Sequence, residues 1–208
     1  MKPVIYSLLA LCVIGICACG FCGKTDQDTV SLTSKPKGKV LIVYYSQSKA
    51  KNTQTVANWI HAKTGGDIYE IEMETPYPDS YKQTIKESKK HRDEGILPQI
   101  KPFPKNIKDY DIIFIGAPIW YGTFPPPVAT FLKDKNFAGK KVIPFCTHGG
   151  GGAGTYYEDI AEAVKGAKIE KNGLTVKGSN QIERRLSYGT KNKVPQDDVT
   201  DWLNDVLK

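Results

Sequence analysis

From Lys39 onward, short apolar runs alternate with stretches whose apolar residues recur at helical spacing. That alternation is what most narrows the architectures open to the chain. Val40-Leu41-Ile42-Val43-Tyr44 is apolar without a break, the pattern of a strand covered on both faces. Val56, Trp59 and Ile60 then follow helical spacing. Ile68 to Met73 alternates, with Glu70 and Glu72 on one side and Tyr69, Ile71 and Met73 on the other, which predicts an edge strand. Residues 79–94 are mostly charged and predict a solvated helix held by Tyr81 and Ile85. Ile112-Ile113-Phe114-Ile115 repeats the buried-strand signal. Pro125 to Pro127 suit a helical first turn that leads into Val128, Phe131 and Leu132. Val142-Ile143-Pro144-Phe145 predicts a fourth strand, although Pro144 lacks the N–H that a central strand uses. Thr155 and Glu158 have capping-box spacing for a helix carrying Ile160 and Val164. Pro195, Asp197 and Asp198 open a last helix with Val199, Trp202, Leu203 and Val206 on one stripe.

Parallel strands need crossovers of this kind, so the fold class is an α/β doubly wound parallel sheet. In such a sheet ligands lie beyond the carboxyl ends of the strands, which directs attention to the loops after each strand. The loop after the first strand, Tyr45 to Lys51, offers Ser46 and Ser48, followed by Asn52 and Thr53 at the start of a helix. Hydroxyls, an amide and the free N–H groups of a helix start can all donate to one phosphate, with Lys49 or Lys51 adding charge. The loop has no glycine, which excludes the Gly-Lys-Ser/Thr cradle of nucleoside triphosphates. An ordinary polar helix entry remains the plain alternative.

The loop after the third strand, Gly116 to Thr123, places Trp120 and Tyr121 side by side among glycines. Adjacent aromatics cannot both point inward, which favours a flat ligand stacked on a ring over a simple cover for the sheet. The loop after the fourth strand, Cys146 to Gly154, is glycine-rich, so backbone can approach a ligand closely. Gly149, Gly151 and Gly154 also satisfy a dinucleotide fingerprint, with Glu170 at the distance of a ribose-binding acid. His148 is the histidine placed to act on a ligand, while His61 and His91 read as packing or surface residues. Cys146, ending an apolar strand, reads as a small buried hydrophobe. No His/Cys/carboxylate spacing suggests a metal site.

The first residues differ in kind. Lys2 precedes an apolar run from Val4 to Ile16, too short for a comfortable membrane span and suited to an export signal. The run ends in Ile16-Cys17-Ala18-Cys19-Gly20, which resembles a bacterial lipoprotein box with Cys19 as the lipidated residue. The organisation expected is therefore a signal peptide at 1–18, a polar flexible tether at 19–38 and one domain at 39–208, membrane-anchored through N-terminal lipid outside the cytoplasm. The net charge of +7 comes from scattered lysines and gives little support to nucleic-acid binding.

Taken together, Tyr45-Ser46-x-Ser48…Asn52-Thr53, Gly116-x-Pro118-Ile119-Trp120-Tyr121-Gly122 and Thr147-His148-Gly149-Gly150-Gly151-Gly152 resemble the flavodoxin family, in particular its bacterial flavodoxin-like branch, across about residues 39–208. The resemblance implies a five-stranded sheet in the order 2-1-3-4-5 and FMN as cofactor. It implies a phosphate held at Ser46, Ser48, Asn52 and Thr53. The ring would lie between the second and third loops, with Trp120 or Tyr121 against its face, Pro118, Ile119 and Gly122 beside it, and Thr147, His148, Gly149 and Gly150 along its edge. Where the family has one glycine before Asn-Thr, this chain has Lys49-Ala50-Lys51. A protonated His148 would favour reduced flavin. The function expected is electron transfer to a redox partner. The alternatives are an FMN-dependent reductase acting between a nicotinamide and a quinone or small acceptor, and a non-redox dinucleotide-binding module.

Overall fold

The computed structural model describes residues 32–133, 135–178 and 195–208. The elements are β1 (Val40–Tyr44), α1 (Asn52–Thr64), β2 (Asp67–Glu70), α2 (Tyr81–Asp93), β3 (Ile112–Pro118), α3 (Pro126–Leu132), β4 (Lys141–His148), α4 (Tyr156–Ala163), β5 (Lys168–Ile169), β6 (Leu174–Lys177) and α5 (Pro195–Val206). The strands are parallel and run in the order β2-β1-β3-β4-β5, with β6 also on β4. This is the doubly wound sheet that the apolar alternation predicts.

The fifth position is not one strand. β5 pairs with Lys141 and Val142, and β6 resumes at Phe145, so the break faces Ile143 and Pro144. Proline has no N–H for a neighbouring ladder. The awkward residue of β4 therefore keeps its central position because the neighbouring chain steps away beside it.

The uninterrupted apolarity of β1 and β3 reflects burial on both faces. Val40, Ile42, Tyr44 and Phe114 pack with Val56, Ala57 and Ile60 of α1 and with Val199, Trp202, Leu203 and Val206 of α5. Leu41, Val43, Ile113 and Ile115 pack on the other face with Val128, Phe131 and Leu132 of α3 and Tyr156 and Ile160 of α4. The apolar residues read from α1, α3 and α5, and Ile160 and Val164 read at the fourth helix, all seat on the sheet.

α2 corrects the reading made from its sequence. Tyr81 is 80% exposed and Ile85 37% exposed, while the residues that α2 buries are Thr84 and Ser88. Thr84 donates from its hydroxyl to the Pro78 carbonyl (2.5 Å) and Ser88 to the Ile85 carbonyl (3.2 Å). A helix fastened by hydroxyls leaves no hydrophobic periodicity to read.

The predicted signal peptide, Cys19 and most of the predicted tether lie outside the described residues. The tether's last part is seen on the domain. Leu32 packs against the core, and Thr33 N–H donates to Asn204 Oδ1 (2.9 Å), so the chain is already docked before Lys39. It enters beside the end of α5, where Val206 meets Lys141 at the start of β4 (2.5 Å), that is, at the amino end of the sheet.

Candidate functional site

β1, β3 and β4 are neighbours, so the three loops at their carboxyl ends meet at one rim of the sheet. In the first loop the chain turns into α1 through Lys51, whose φ of 49° lies in the left-handed region that glycine occupies most easily. Lys51 Nζ donates to the Ser46 carbonyl (3.2 Å) and pairs with Glu70 (3.6 Å). Glu70 also accepts from Tyr44 Oη (3.1 Å) and Gln54 Nε2 (3.2 Å), and burial first, then Glu70 and Glu72, push the Tyr44 hydroxyl up to about 12. Lys51 is thus committed to holding the loop. Lys49, in contrast, lines a cavity.

No side chain caps α1, and no acidic residue occupies its first turn. Beside that uncapped start, Ser46 Oγ and Asn52 Oδ1 are buried with no hydrogen-bond partner among the described residues. Buried polar atoms are otherwise almost always satisfied, and leaving one unpaired costs about 1–3 kcal/mol. One orphan is a hydroxyl with a proton to give and the other an amide oxygen with lone pairs to fill. Thr53 is different: its hydroxyl is buried against that of Thr147 (2.8 Å) and joins the first loop to the third.

In the second loop, Trp120 N–H donates to the Thr123 carbonyl (2.8 Å), Thr123 N–H returns the bond (3.1 Å), and Tyr121 and Gly122 both have positive φ. Such a turn presents consecutive side chains to different sides. Trp120 lies edge-on to Tyr45 (6.0 Å) and tilted to Tyr77 (5.6 Å), half-buried at the sheet end. Tyr121 reaches outward to α2, donating to the Ile85 carbonyl (2.8 Å) and meeting Ser88 Oγ (3.1 Å), with the Arg92 guanidinium 4.2 Å from its ring centre. Pro118 to Tyr121, with Gln47 to Lys49 and with Tyr81, Thr84, Ile85 and Ser88 of α2, line a cavity of about 590 Å³. Gly122 lies on the other side, its carbonyl accepting Thr155 N–H (2.7 Å); a Cβ on Gly154 would collide with that carbonyl.

The third loop is organised by His148. Its Nδ1 accepts from both Gly150 N–H (3.0 Å) and Gly152 N–H (3.0 Å), and its carbonyl accepts Gly178 N–H (2.8 Å). An imidazole accepting twice at Nδ1 is neutral, with its proton on Nε2. Partial burial, then the charge of Lys177, hold it below the usual histidine range. A protonated His148 favouring reduced flavin does not fit this geometry, since a proton on Nδ1 would face two N–H donors; the residue's role in the turn is the structural one. Gly149 makes no hydrogen bond among the described residues and stays open on the rim.

The dinucleotide arrangement does not form. Glu170 accepts Asn172 N–H (3.1 Å) and lies 3.7 Å from Lys141 at the first residue of β4, whereas Gly149 follows that strand's last residue. The acid and the glycines thus sit at opposite ends of one strand. The capping box at Thr155 is likewise not made. Thr155 Oγ1 donates to Asp159 Oδ2 (2.6 Å), and Thr123 Oγ1 donates to the same oxygen, tying the second loop to α4. Asp159 carries no signal in the sequence beyond being one residue past the predicted box. His61 Nδ1 meets the Gly66 carbonyl (2.6 Å), His91 Nδ1 meets Tyr77 Oη (2.8 Å), and Cys146 is fully buried, its thiol pushed up by burial.

A family model described as flavodoxin matches residues 39–188. Among solved structures, the chain is similar to a candidate flavoprotein from Bacteroides eggerthii DSM 20697, with 25% identity, 82% of this chain and 98% of that one covered and a TM-score of 0.65. It is similar to another from Bacteroides uniformis ATCC 8492, with 25% identity, 80% and 97% covered and a TM-score of 0.64. A flavoprotein in complex with FMN from Lactobacillus acidophilus NCFM shares the fold at 23% identity, with 71% and 97% covered and a TM-score of 0.56. No curated relative matches the chain by sequence.

Proposed function

The chain belongs to the flavodoxin family, and from that premise we propose that it is an FMN-binding electron-transfer protein. The observation that carries the reading is the pair of orphaned buried atoms beside an uncapped helix start. A phosphate ester of a polyol supplies an acceptor for Ser46 Oγ and a hydroxyl donor for Asn52 Oδ1, and FMN is such an ester. When bound, FMN supplies the redox chemistry. Ser46, Ser48 and Asn52, with the first N–H groups of α1, hold the phosphate in this reading, and Lys49 adds charge from the cavity wall. Thr53 works from behind by fixing the third loop through Thr147. Trp120, Pro118 and Ile119 offer apolar surface to the ring, Tyr121 and Gly122 set the turn that carries Trp120, and Gly149 and Gly150 approach from the third loop. His148 serves as the neutral organiser of that loop.

Absorption and fluorescence titration of the protein with FMN and with riboflavin tests the reading. FMN binds with a shifted spectrum and quenched emission, and riboflavin, which lacks the phosphate, binds more weakly. A protein that stays colourless with FMN overturns it. The cavity of about 590 Å³ beside Trp120 favours a second reading, an FMN-dependent reductase with room for a small acceptor. Rapid bleaching of the loaded protein by NADH or NADPH identifies the reductase; a carrier hardly reacts.

We further propose that lipid on Cys19 tethers the domain to a membrane outside the cytoplasm. The entry of the chain at the amino end of the sheet supports this arrangement, because it leaves the carboxyl-end rim turned away from the tether. Fatty-acid labelling that survives Cys19→Ala rules that cysteine out.

A further inference from the structure

Tyr81, Ile85, Ile96, Leu97 and Tyr121 are the exposed large hydrophobic residues among those described, and all of them belong to α2, the turn after it, or the loop that α2 holds. Monomer surfaces rarely gather their apolar exposure in one place without a partner. The same helix carries Lys82, Lys86, Lys89, Lys90 and Arg92 against Glu87 and Asp93. Lys89 and Arg92 are paired with Asp93, whereas Lys82, Lys86 and Lys90 make no ion pair among the described residues. We propose that this face, α2 with the turn at Trp120 and Tyr121, is a docking surface for an acidic protein partner.

Charge gives the sign of the partner, and shape gives its kind. Unpaired lysines around an aromatic and aliphatic patch match carboxylates around an apolar centre, the usual arrangement of a protein interface with a polar rim. Tyrosine and arginine, the residue types that anchor such interfaces, stand together where Arg92 covers the Tyr121 ring. The face is indented by a cavity of about 450 Å³ between the end of α2 and the second loop, lined by His91, Arg92, Ile96, Leu97 and Tyr121, which a protruding side chain fills and a flat bilayer does not. The acids Asp79, Glu87 and Glu94 among the lysines further disfavour a uniformly anionic surface. Because Tyr121 Oη is bonded to the Ile85 carbonyl and to Ser88, a partner seated on α2 also abuts the turn that carries Trp120. The inference takes its direction from the electron-transfer reading, but it concerns binding alone and is tested without flavin, so the two fail separately.

The test is amide chemical-shift mapping of the 15N-labelled full-length protein without FMN. It is titrated with plastocyanin as an acidic protein probe, with cytochrome c as a basic one, and with phosphatidylcholine vesicles containing phosphatidylglycerol. With plastocyanin the shifts are confined to residues 81–97 and 120–122 and shrink as salt rises from about 50 to about 300 mM, as the Debye length shortens. Lys82→Glu, Lys86→Glu and Lys90→Glu together weaken binding about tenfold or more, and Tyr81→Ser weakens it several-fold with charge unchanged. Cytochrome c moves none of these resonances. Absent shifts, shifts spread over other faces, an equal response to cytochrome c, or a response to vesicles alone overturns the proposal, the last in favour of a membrane surface.

Discussion

α1 and α2 are each 13 residues long, each follows one of two paired strands, the interior β1 and the edge β2, and each begins close to the candidate site. They are held by opposite means. α1 buries Val56, Ala57 and Ile60 between the sheet and α5, whereas α2 buries Thr84 and Ser88 and presents its apolar side chains to solvent. Under the proposed function, the contrast would suit them to different work. A helix whose first turn must receive an anion has to be fixed before the anion arrives, since a mobile cradle would lose entropy on binding. A helix that greets a partner keeps its apolar area uncovered until the partner covers it.

The contrast is testable first in the core. Ile60→Ala should cost about 2–5 kcal/mol in urea denaturation, whereas Ile85→Ala should stay within about 0.5 kcal/mol. Equal losses would mean that α2 is seated as firmly as α1. At the α1 start, Ser46→Ala should weaken FMN roughly ten- to a hundredfold, from the loss of a hydrogen bond to a charged group worth about 1.5–3 kcal/mol. The apoprotein should lose no stability in the same variant, because the hydroxyl has no partner there. A thermal melt beside a flavin titration separates the two effects.

Tyr121→Phe removes the hydroxyl that holds α2 to the second loop, at a cost of about 0.5–1.5 kcal/mol. Hydrogen exchange should quicken in α2 and not in α1; acceleration in both would show that the two helices open as one unit. The smallest effect belongs to the third loop. His148 is less readily protonated in the folded chain than in the unfolded one, so the unfolded chain binds more protons as the pH falls. Stability from this group is complete above the ordinary histidine pKa of about 6.5 and declines below it. After correction for the intrinsic slowing of exchange at lower pH, protection of Gly150 and Gly152 should fall over that window while α1 stays protected, and His148→Ala should abolish this change in protection.

Much of the frame is legible in the residues. β1 and β3 are apolar at every position because both of their faces are covered, and the stripes of α1, α3 and α5 follow the period of a helix against a sheet. The three loops that meet at the rim are legible by their place after strands, which the sheet order bears out. What could not be read has a common cause. Thr84 and Ser88 anchor α2 through hydroxyls, Asp159 ties Thr123 of the second loop to Thr155 at the start of its own helix, and Pro144 is accommodated by a break in a neighbouring strand. Each is a polar or backbone contact of particular residues, some of them far apart in the chain, and none has a hydrophobic period.

The sequence by itself determined the doubly wound sheet and the rim at which its loops gather, because burial writes a local repeat into the chain. Tertiary structure alone decided which polar groups are spent and which are left open. Thr53 is consumed by Thr147, Lys51 by Glu70 and His148 by its own loop, while Ser46 Oγ and Asn52 Oδ1 have no partner among the described residues. A hydrogen bond is set by a few ångströms and an angle between groups that the chain brings together only on folding, and no spacing along the sequence encodes that distance.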